Sequence, residues 1–159
     1  MTSVDPHAER HAERHAEGHT DRPEPDAFTR TYWEAAAQGR LLLRRCAACG
    51  RAHHYPRGFC PHCWSEDVSW EEASGEAVLY TWSVVRANDL PPFCDHLPYV
   101  AAVVELAEGP RMMTGVVDCD PLTLCVGMAL HVTFATPTSL EGSDLARLAV
   151  PLFGPAEPR

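Results

Sequence analysis

Cys46-Ala47-Ala48-Cys49-Gly50 and Cys60-Pro61-His62-Cys63 are the two segments that decide the fold of this chain. Each segment places two cysteines two residues apart, and ten residues separate the pairs. This spacing turns both thiolates of a pair toward one point, so that two facing pairs complete a tetrahedral four-sulfur site. We therefore predict structural zinc, with iron as the substitute ion because tetrahedral sulfur also suits it. The predicted ligands are Cys46, Cys49, Cys60 and Cys63.

Two disulfides are the alternative explanation for these cysteines. The first twenty residues are charged and rich in histidine, unlike a secretory leader, so we expect the protein to stay in the reducing cytoplasm. Paired cysteines in that compartment indicate metal ligands. No apolar run approaches the length that spans a bilayer, so we expect a soluble protein. Because a closed four-sulfur site has no open coordination position, the metal is expected to be structural rather than catalytic.

The charge of the chain is unevenly distributed. The formal net charge of −9 over 159 residues argues against a nucleic-acid partner, which usually requires a basic face. All basic residues are arginines, and residues 40–59 contain no acidic residue. One explanation is that these arginines compensate the negative charge of a zinc–thiolate centre. The other is that some of them bind phosphates or an acidic partner surface. The arginines are Arg40, Arg44, Arg45, Arg51 and Arg57.

The N-terminal part divides into a tail and a helix. Residues 1–25 repeat His-Ala-Glu-Arg with almost no large apolar side chain, which predicts a disordered tail. Its histidines recur every four residues and would form a metal-binding column only in a helix. Residues 26–39 then predict a helix capped by Asp26 and stopped by Gly39. Its apolar stripe should pack on the rest of the chain or on a partner. The stripe consists of Phe28, Tyr32, Trp33 and Ala36.

The remaining chain predicts a zinc ribbon at residues 40–72 and an OB-type barrel at 73–156. Segments rich in β-branched and aromatic residues alternate with Gly and Pro turns, as in a small closed barrel. The fold class is therefore mainly β: an N-terminal helix, a rubredoxin-like zinc ribbon and a C-terminal OB-type β-barrel. His53, His54 and His62 are expected to be loop residues. The predicted strands are Leu41–Leu43, Val78–Val85, Tyr99–Leu106, Arg111–Asp118, Leu122–Cys125 and Leu130–Ala135.

A Pro-rich segment, residues 88–98, interrupts the barrel half and is typical of a functional rim loop. Within it, Cys94, Asp95 and His96 suggest a nucleophile with its base. Adjacent residues in an irregular loop rarely meet in the geometry that activation needs. Cys119 and Cys125 lie in strand-like segments and are expected to be buried as small apolar groups. We therefore predict no catalytic residue in this chain.

Several motifs in sequence order resemble one known family. They are Tyr32-Trp33-Glu34, Gly39-Arg40-Leu41-Leu42-Leu43, Arg45-Cys46-Ala47-Ala48-Cys49-Gly50-Arg51, Gly75-Glu76-Ala77-Val78, Tyr80-Thr81-Trp82-Ser83, Leu97-Pro98-Tyr99-Val100, Val104-Glu105-Leu106, Glu108-Gly109-Pro110 and Val150-Pro151-Leu152-Phe153-Gly154-Pro155. The chain is similar over residues 26–156 to the acyl-CoA-associated zinc-ribbon/OB-fold proteins, a family long catalogued only as a domain of unknown function. Each motif has moderate specificity, and their common order makes the resemblance specific.

The resemblance implies a helper rather than a stand-alone enzyme. Proteins of this family pair with thiolase-superfamily subunits: thiolases, hydroxymethylglutaryl-CoA synthases, acyltransferases and the aldolases of steroid side-chain breakdown. The resemblance also implies that the barrel helps to form a tunnel for the coenzyme A thioester, whereas the catalytic residues belong to the partner. Barrel packing is the alternative role for each tunnel candidate. The candidates are Tyr80, Trp82, Arg86, Pro98 and Tyr99.

Two rival functions remain at this point. One is a structural scaffold without coenzyme A contact, which titration of a coenzyme A thioester into the complex, with and without this chain, would distinguish from a tunnel-forming subunit. A single-stranded nucleic-acid-binding OB-fold would need aromatic platforms in a positively charged groove. Tyr80 and Trp82 supply aromatic rings, but the barrel half contains few arginines among many carboxylates.

Overall fold

The computed structural model describes residues 25–90, 93–135 and 149–156. The predicted tail therefore lies outside the described residues except for Pro25, and so do two residues of the Pro-rich segment. Within the described part the fold class is confirmed: one short helix, a zinc-ribbon sheet and a closed five-stranded barrel. The elements are α1 (Arg30–Ala36), β1 (Leu42–Cys46), β2 (Ala52–His53), β3 (Val68–Glu72), β4 (Glu76–Val85), β5 (Tyr99–Leu106), β6 (Arg111–Val116), β7 (Ala129–Ala135) and β8 (Val150–Pro155).

Helix α1 is shorter than the helix predicted over residues 26–38 because its first turn is not regular. The Asp26 carboxylate accepts hydrogen bonds from the backbone N–H groups of Phe28 and Thr29, at 2.9 and 2.7 Å, and so caps a turn that precedes the helix. Gly39 ends the helical segment with a φ of +74°, a conformation that glycine adopts at little cost. The Tyr32 and Trp33 side chains are buried within the chain, whereas Phe28 is 65% exposed.

The ribbon is a three-stranded antiparallel sheet with β1 in the middle, between β2 and β3. Strand β1 extends the predicted strand at Leu41–Leu43 as far as the first predicted metal ligand, Cys46. His53 lies in β2 and is 3% exposed, so the prediction that it is a loop residue was wrong. The sheet holds the Cys46–Cys49 segment beside β3 through a hydrogen bond from Ala47 N–H to Asp67 O.

The barrel closes in the order β4-β5-β6-β8-β7, in which β8 runs parallel to β6 and antiparallel to β7. The prediction of a strand at Leu122–Cys125 was wrong, and so was the expected burial of Cys125, which is exposed. Asp120 accepts a hydrogen bond from Leu122 N–H there and starts a 3₁₀ turn over Pro121–Thr123 that leaves Leu122 88% exposed. The closing strand is instead β8, which the two prolines and the glycine in its sequence obscured.

One hydrophobic core joins the three parts of the molecule. Its buried side chains come from α1 (Tyr32), the start of the ribbon (Leu43) and the barrel strands (Leu79, Val104 and Phe153). Because the core is continuous, the ribbon and the barrel are held in a fixed relation to each other. No helix among the described residues is long and apolar enough to cross a membrane.

Candidate metal centre and apolar groove

The four predicted ligands lie together at the tip of the ribbon. Their Sγ atoms are all within 4.8 Å of one another. The Sγ atoms of Cys46 and Cys63 are 3.6 Å apart, as are those of Cys49 and Cys60. A tetrahedral zinc ion with Zn–S bonds of about 2.3 Å separates its sulfurs by about 3.8 Å, so the four thiols fit this ion. No disulfide joins the cysteines of the described chain.

The two knuckles share one backbone design. Gly50 N–H donates to Cys46 O at 2.9 Å, and Trp64 N–H donates to Cys60 O at 2.9 Å. Each bond closes a tight turn that brings the two sulfurs of a pair to the same side. The first cysteine of each pair is buried and the second is exposed. A hydrogen bond from the backbone N–H of Cys49 is the main cause that lowers the pKa of the Cys46 thiol to about 7. This bond favours the thiolate, which is the form that binds metal.

The ribbon arginines fall into two groups. Arg45 forms a bidentate ion pair with Glu71 and also donates to Gly50 O at 2.7 Å, while Arg40 pairs with Glu72 at 3.2 Å. The Arg44 guanidinium lies 4.6 Å from the centre of the Trp70 ring. These three arginines stabilise the sheet locally. By contrast Arg51 and Arg57 are exposed, and neither takes part in an ion pair within the described ranges.

An apolar groove of about 700 Å³ lies between α1, the ribbon and the barrel. Exposed side chains at its edge, Met113 at 80% and Phe93 at 38%, show that it opens to solvent. Its other walls are mainly aliphatic and aromatic. The lining residues that matter here are Tyr32, His54, Tyr55, Phe93, Tyr99 and Met113.

The Tyr32 and His54 side chains give one end of the groove its polar groups. The Tyr32 hydroxyl lies 3.4 Å from Nε2 of His54. Burial, reinforced by the neighbouring His53, lowers the pKa of His54 to about 4. Burial also raises the pKa of Tyr32 above its usual value. Both groups are therefore neutral near pH 7, so this end of the groove carries hydrogen-bonding capacity without charge.

The structure brings one of the five tunnel candidates to the groove. Tyr99 lines it, and its hydroxyl accepts a hydrogen bond of 2.9 Å from the Asn88 side-chain amide. Tyr80 lies at a register shift of β4, where its half-exposed ring stacks under Arg111 at 3.6 Å. Trp82 packs against the core, and Arg86 and Pro98 are exposed.

Sequence reasoning missed most of the groove. His54 and Tyr55 follow β2, Phe93 lies in a short 3₁₀ turn, and Met113 is on β6, so the fold alone assembles them. The one sequence feature that indicated a groove residue was the position of Phe93 inside the Pro-rich segment. The neighbouring Cys94 has its Sγ 3.6 Å from the Asp95 carboxylate, and desolvation together with that negative charge raises the pKa of its thiol. This environment disfavours a nucleophilic thiolate.

Two family models match consecutive parts of the chain. The model described as the ChsH2 rubredoxin-like zinc ribbon domain matches residues 33–69, and the ChsH2 C-terminal OB-fold domain matches residues 70–135. Together they cover the metal centre and most of the barrel.

Among curated relatives, a "DUF35 domain-containing scaffold protein" of Methanothermobacter thermautotrophicus is 32% identical over 72% of this chain and 86% of its own length. A "Probable enoyl-CoA hydratase alpha subunit" of Thermomonospora curvata is 39% identical over 87% of this chain. The chain spans 41% of the length of that relative.

A solved structure titled "Ltp2-ChsH2(DUF35) aldolase" is also similar. It superposes with a TM-score of 0.70 at 36% identity, over 84% of this chain and 98% of that chain.

Proposed function

Since this chain belongs to the DUF35 family of zinc-ribbon and OB-fold proteins, we propose that it is a non-catalytic accessory subunit of an acyl-CoA enzyme complex in the cytoplasm. In this proposal its partner is a thiolase-superfamily subunit, such as a thiolase, acyltransferase, aldolase or synthase. The chain docks on that subunit and contributes one wall of the tunnel for the coenzyme A thioester.

The open apolar groove is the observation that supports this function best. A groove of about 700 Å³ is within the size range of sites for cofactor-sized molecules, and its walls offer few polar groups. Its exposed edge leaves the groove incomplete without a covering surface. A partner that covers the groove would convert it into an enclosed channel.

The Tyr32–His54 end of the groove suits a flexible, uncharged chain such as the pantetheine arm of a thioester, and the cation that also lines the groove, Arg111, is paired with Glu105. Tyr32 and His54 are neutral, so they accept or donate hydrogen bonds to amides without attracting an ion. Tyr99 presents a ring whose orientation is fixed by Asn88. Among the tunnel candidates we therefore propose Tyr99 as the residue that contacts the thioester, and the partner supplies the catalytic cysteine and histidine.

The metal centre contributes rigidity to this function. Zinc would be held by Cys46, Cys49, Cys60 and Cys63, whose four sulfurs fill its coordination sphere. When bound, zinc fixes the two knuckles against each other. His54 and Tyr55 follow the short strand β2, which lies between the knuckles in sequence, so the metal also stabilises one wall of the groove.

The experiment that tests the proposal has two steps. Affinity capture with the tagged full chain from its native cell should retain a thiolase-superfamily subunit, identified by mass spectrometry. An acyl-CoA is then titrated into the purified complex. Tyr99→Ala should weaken thioester binding about ten-fold, because it removes an aromatic contact from the wall. Val126→Ala, which truncates a side chain that is 70% exposed and outside the groove, is the matched control.

The outcomes separate the rival functions. If the complex forms and Tyr99→Ala binds the thioester as tightly as the wild type, the chain is a scaffold without coenzyme A contact. If the chain binds single-stranded DNA or RNA tightly, with an affinity that falls steeply with salt, the nucleic-acid function is correct and the accessory role is wrong.

A further inference from the structure

Trp64 has the same left-handed backbone conformation as the glycine at the equivalent position of the other knuckle. Gly50 follows Cys49 with a φ of +71°, and Trp64 follows Cys63 with a φ of +64°. Both N–H groups donate to the first cysteine of their own pair at 2.9 Å. Glycine adopts this left-handed region freely, whereas a bulky side chain is strained there. The second knuckle therefore has a strained tryptophan at the position where the first knuckle has an unstrained glycine.

The strain is not compensated by burial. The Trp64 side chain is 75% exposed, so most of its apolar surface remains in water. Its ring stacks on Phe59, with ring centres 5.3 Å apart and planes inclined by 12°. That stack holds the indole in one orientation without removing it from solvent. A strained residue whose large apolar side chain is fixed and exposed is better explained by contact with another molecule than by folding.

The exposed aromatic surface extends beyond Trp64. The Phe28 ring, 65% exposed, lies 3.3 Å from the position of a Cβ atom on Gly58, the residue before Phe59. Phe28 therefore lies beside Gly58, next in sequence to the stacked pair of Phe59 and Trp64, and we call this row of three aromatic residues the knuckle surface. It is separate from the groove, because none of its three residues lines the groove.

Two unpaired arginines belong to the ribbon, and one of them, Arg57, lies close to this row in sequence. Arg57 precedes Phe59 by two residues, and Arg51 belongs to the cleft beside the knuckles that His62 also lines. Neither guanidinium has an ion-pair partner among the residues that the structure describes. Guanidinium groups beside an apolar patch complement carboxylates around an apolar pocket.

We propose that the knuckle surface is a docking site for the partner enzyme, with Trp64 as its anchor. The complementary surface on the partner is an apolar pocket edged by carboxylates, which receives the indole and pairs with Arg57. This inference rests on the proposed function, since it names the part of the chain that contacts the partner. A rigid aromatic anchor loses little conformational entropy when it binds, which is why tryptophan and arginine dominate binding hot spots.

The test compares the zinc-loaded full chain with Trp64→Gly. Glycine already occupies the equivalent position of the first knuckle, so the variant should keep its zinc and its thermal midpoint within a few degrees. Its affinity for the captured enzyme, measured by biolayer interferometry, should fall about thirty-fold. Arg57→Glu should weaken binding as well, by reversing a charge at the same surface. Leu122→Ser, at an 88% exposed position of a 3₁₀ turn outside the knuckle surface, should bind as the wild type does.

The other outcomes would contradict the docking site, the proposed function or the identity of the occupant. If Trp64→Gly binds the enzyme with unchanged affinity, the docking site is wrong while the proposed function stands. If the wild-type chain captures no acyl-CoA enzyme, the proposed function and this inference both fail. If Trp64→Gly changes the oligomeric state of the isolated chain, or its binding to single-stranded nucleic acid, then a second copy or a nucleic acid occupies the surface instead.

Discussion

Gly75 lies at the joint between the ribbon and the barrel, and replacing it with alanine should weaken the fold. It separates β3, which ends at Glu72, from β4, which begins at Glu76. Its φ is +80°, and its carbonyl accepts a hydrogen bond of 2.9 Å from Val132 N–H on β7. The backbone of β7 therefore passes close to Gly75, and a side chain at this position has no free space.

The magnitude follows from two separate terms. A left-handed backbone costs an alanine roughly 1–2 kcal/mol. The added Cβ would also stand 2.6 Å from the Val132 Cγ1 atom, which is too close for two carbon atoms. Relief of such a clash by a shift of the strand costs about 1–3 kcal/mol. We therefore expect Gly75→Ala to lower the free energy of unfolding by about 2–5 kcal/mol.

Gly127→Ala is the matched control. Gly127 has nearly the same φ, +82°, but nothing lies within 4 Å of an added Cβ. It should lose only the backbone term, about 1–2 kcal/mol. Urea unfolding followed by tryptophan fluorescence, with free zinc held at one concentration, measures both variants. Equal losses in the two variants would show that the Val132 contact relaxes without cost, and would refute the clash argument.

Two further predictions concern the metal and the groove. Cys60→Ser should lose the bound zinc and unfold the ribbon, because zinc binding energy is folding energy in small sites. Cys125→Ser, which lies outside the cluster, should keep its zinc, and metal analysis of both purified variants checks this difference. His54 should remain neutral down to about pH 5, because burial lowers its pKa from 6.5 to about 4. Between these two pKa values the folded state binds fewer protons than the unfolded state. The contribution of His54 to stability is therefore complete above pH 6.5 and is lost as the pH falls toward 4. The total loss in the free energy of unfolding is about 3 kcal/mol. An NMR titration of the His54 ring protons with a midpoint near pH 6.5 would contradict the buried environment.

The metal centre could be predicted from sequence because its geometry is local. Two residues between the cysteines of a pair are enough to fix a knuckle, and only one long-range contact is needed to bring the pairs together. The barrel was predictable as a class for the same reason, since alternating strands and turns are local patterns. Its closing strand was not, because β8 is held by pairing with β6 and β7, far away in sequence, and its prolines and glycine lower its own strand propensity.

The groove depended on still longer contacts. Tyr32, His54 and Tyr99 are separated by more than twenty residues each, and no spacing rule connects them. The strained Trp64, by contrast, has a local signal. Cys49 is followed by glycine and Cys63 by tryptophan, so two otherwise similar knuckles differ at the turn position where the backbone demands a left-handed residue. A residue-by-residue comparison of the two knuckles is enough to mark Trp64 as the exception.

The two knuckles differ in what they contact: the first is bonded to its own sheet, and the second exposes an aromatic side chain to solvent. The first knuckle is tied to its own sheet, because Arg45 donates to Gly50 O at 2.7 Å and pairs with Glu71 on β3. The second knuckle presents Trp64 to solvent over Phe59. One metal ion would bind both knuckles, so the orientation of the indole depends on the metal as well as on its stack with Phe59. Removal of zinc should therefore abolish docking even though the residues of the knuckle surface are unchanged. The groove wall on the barrel, which the core of Leu79, Val104 and Phe153 supports, should keep its fold under the same treatment.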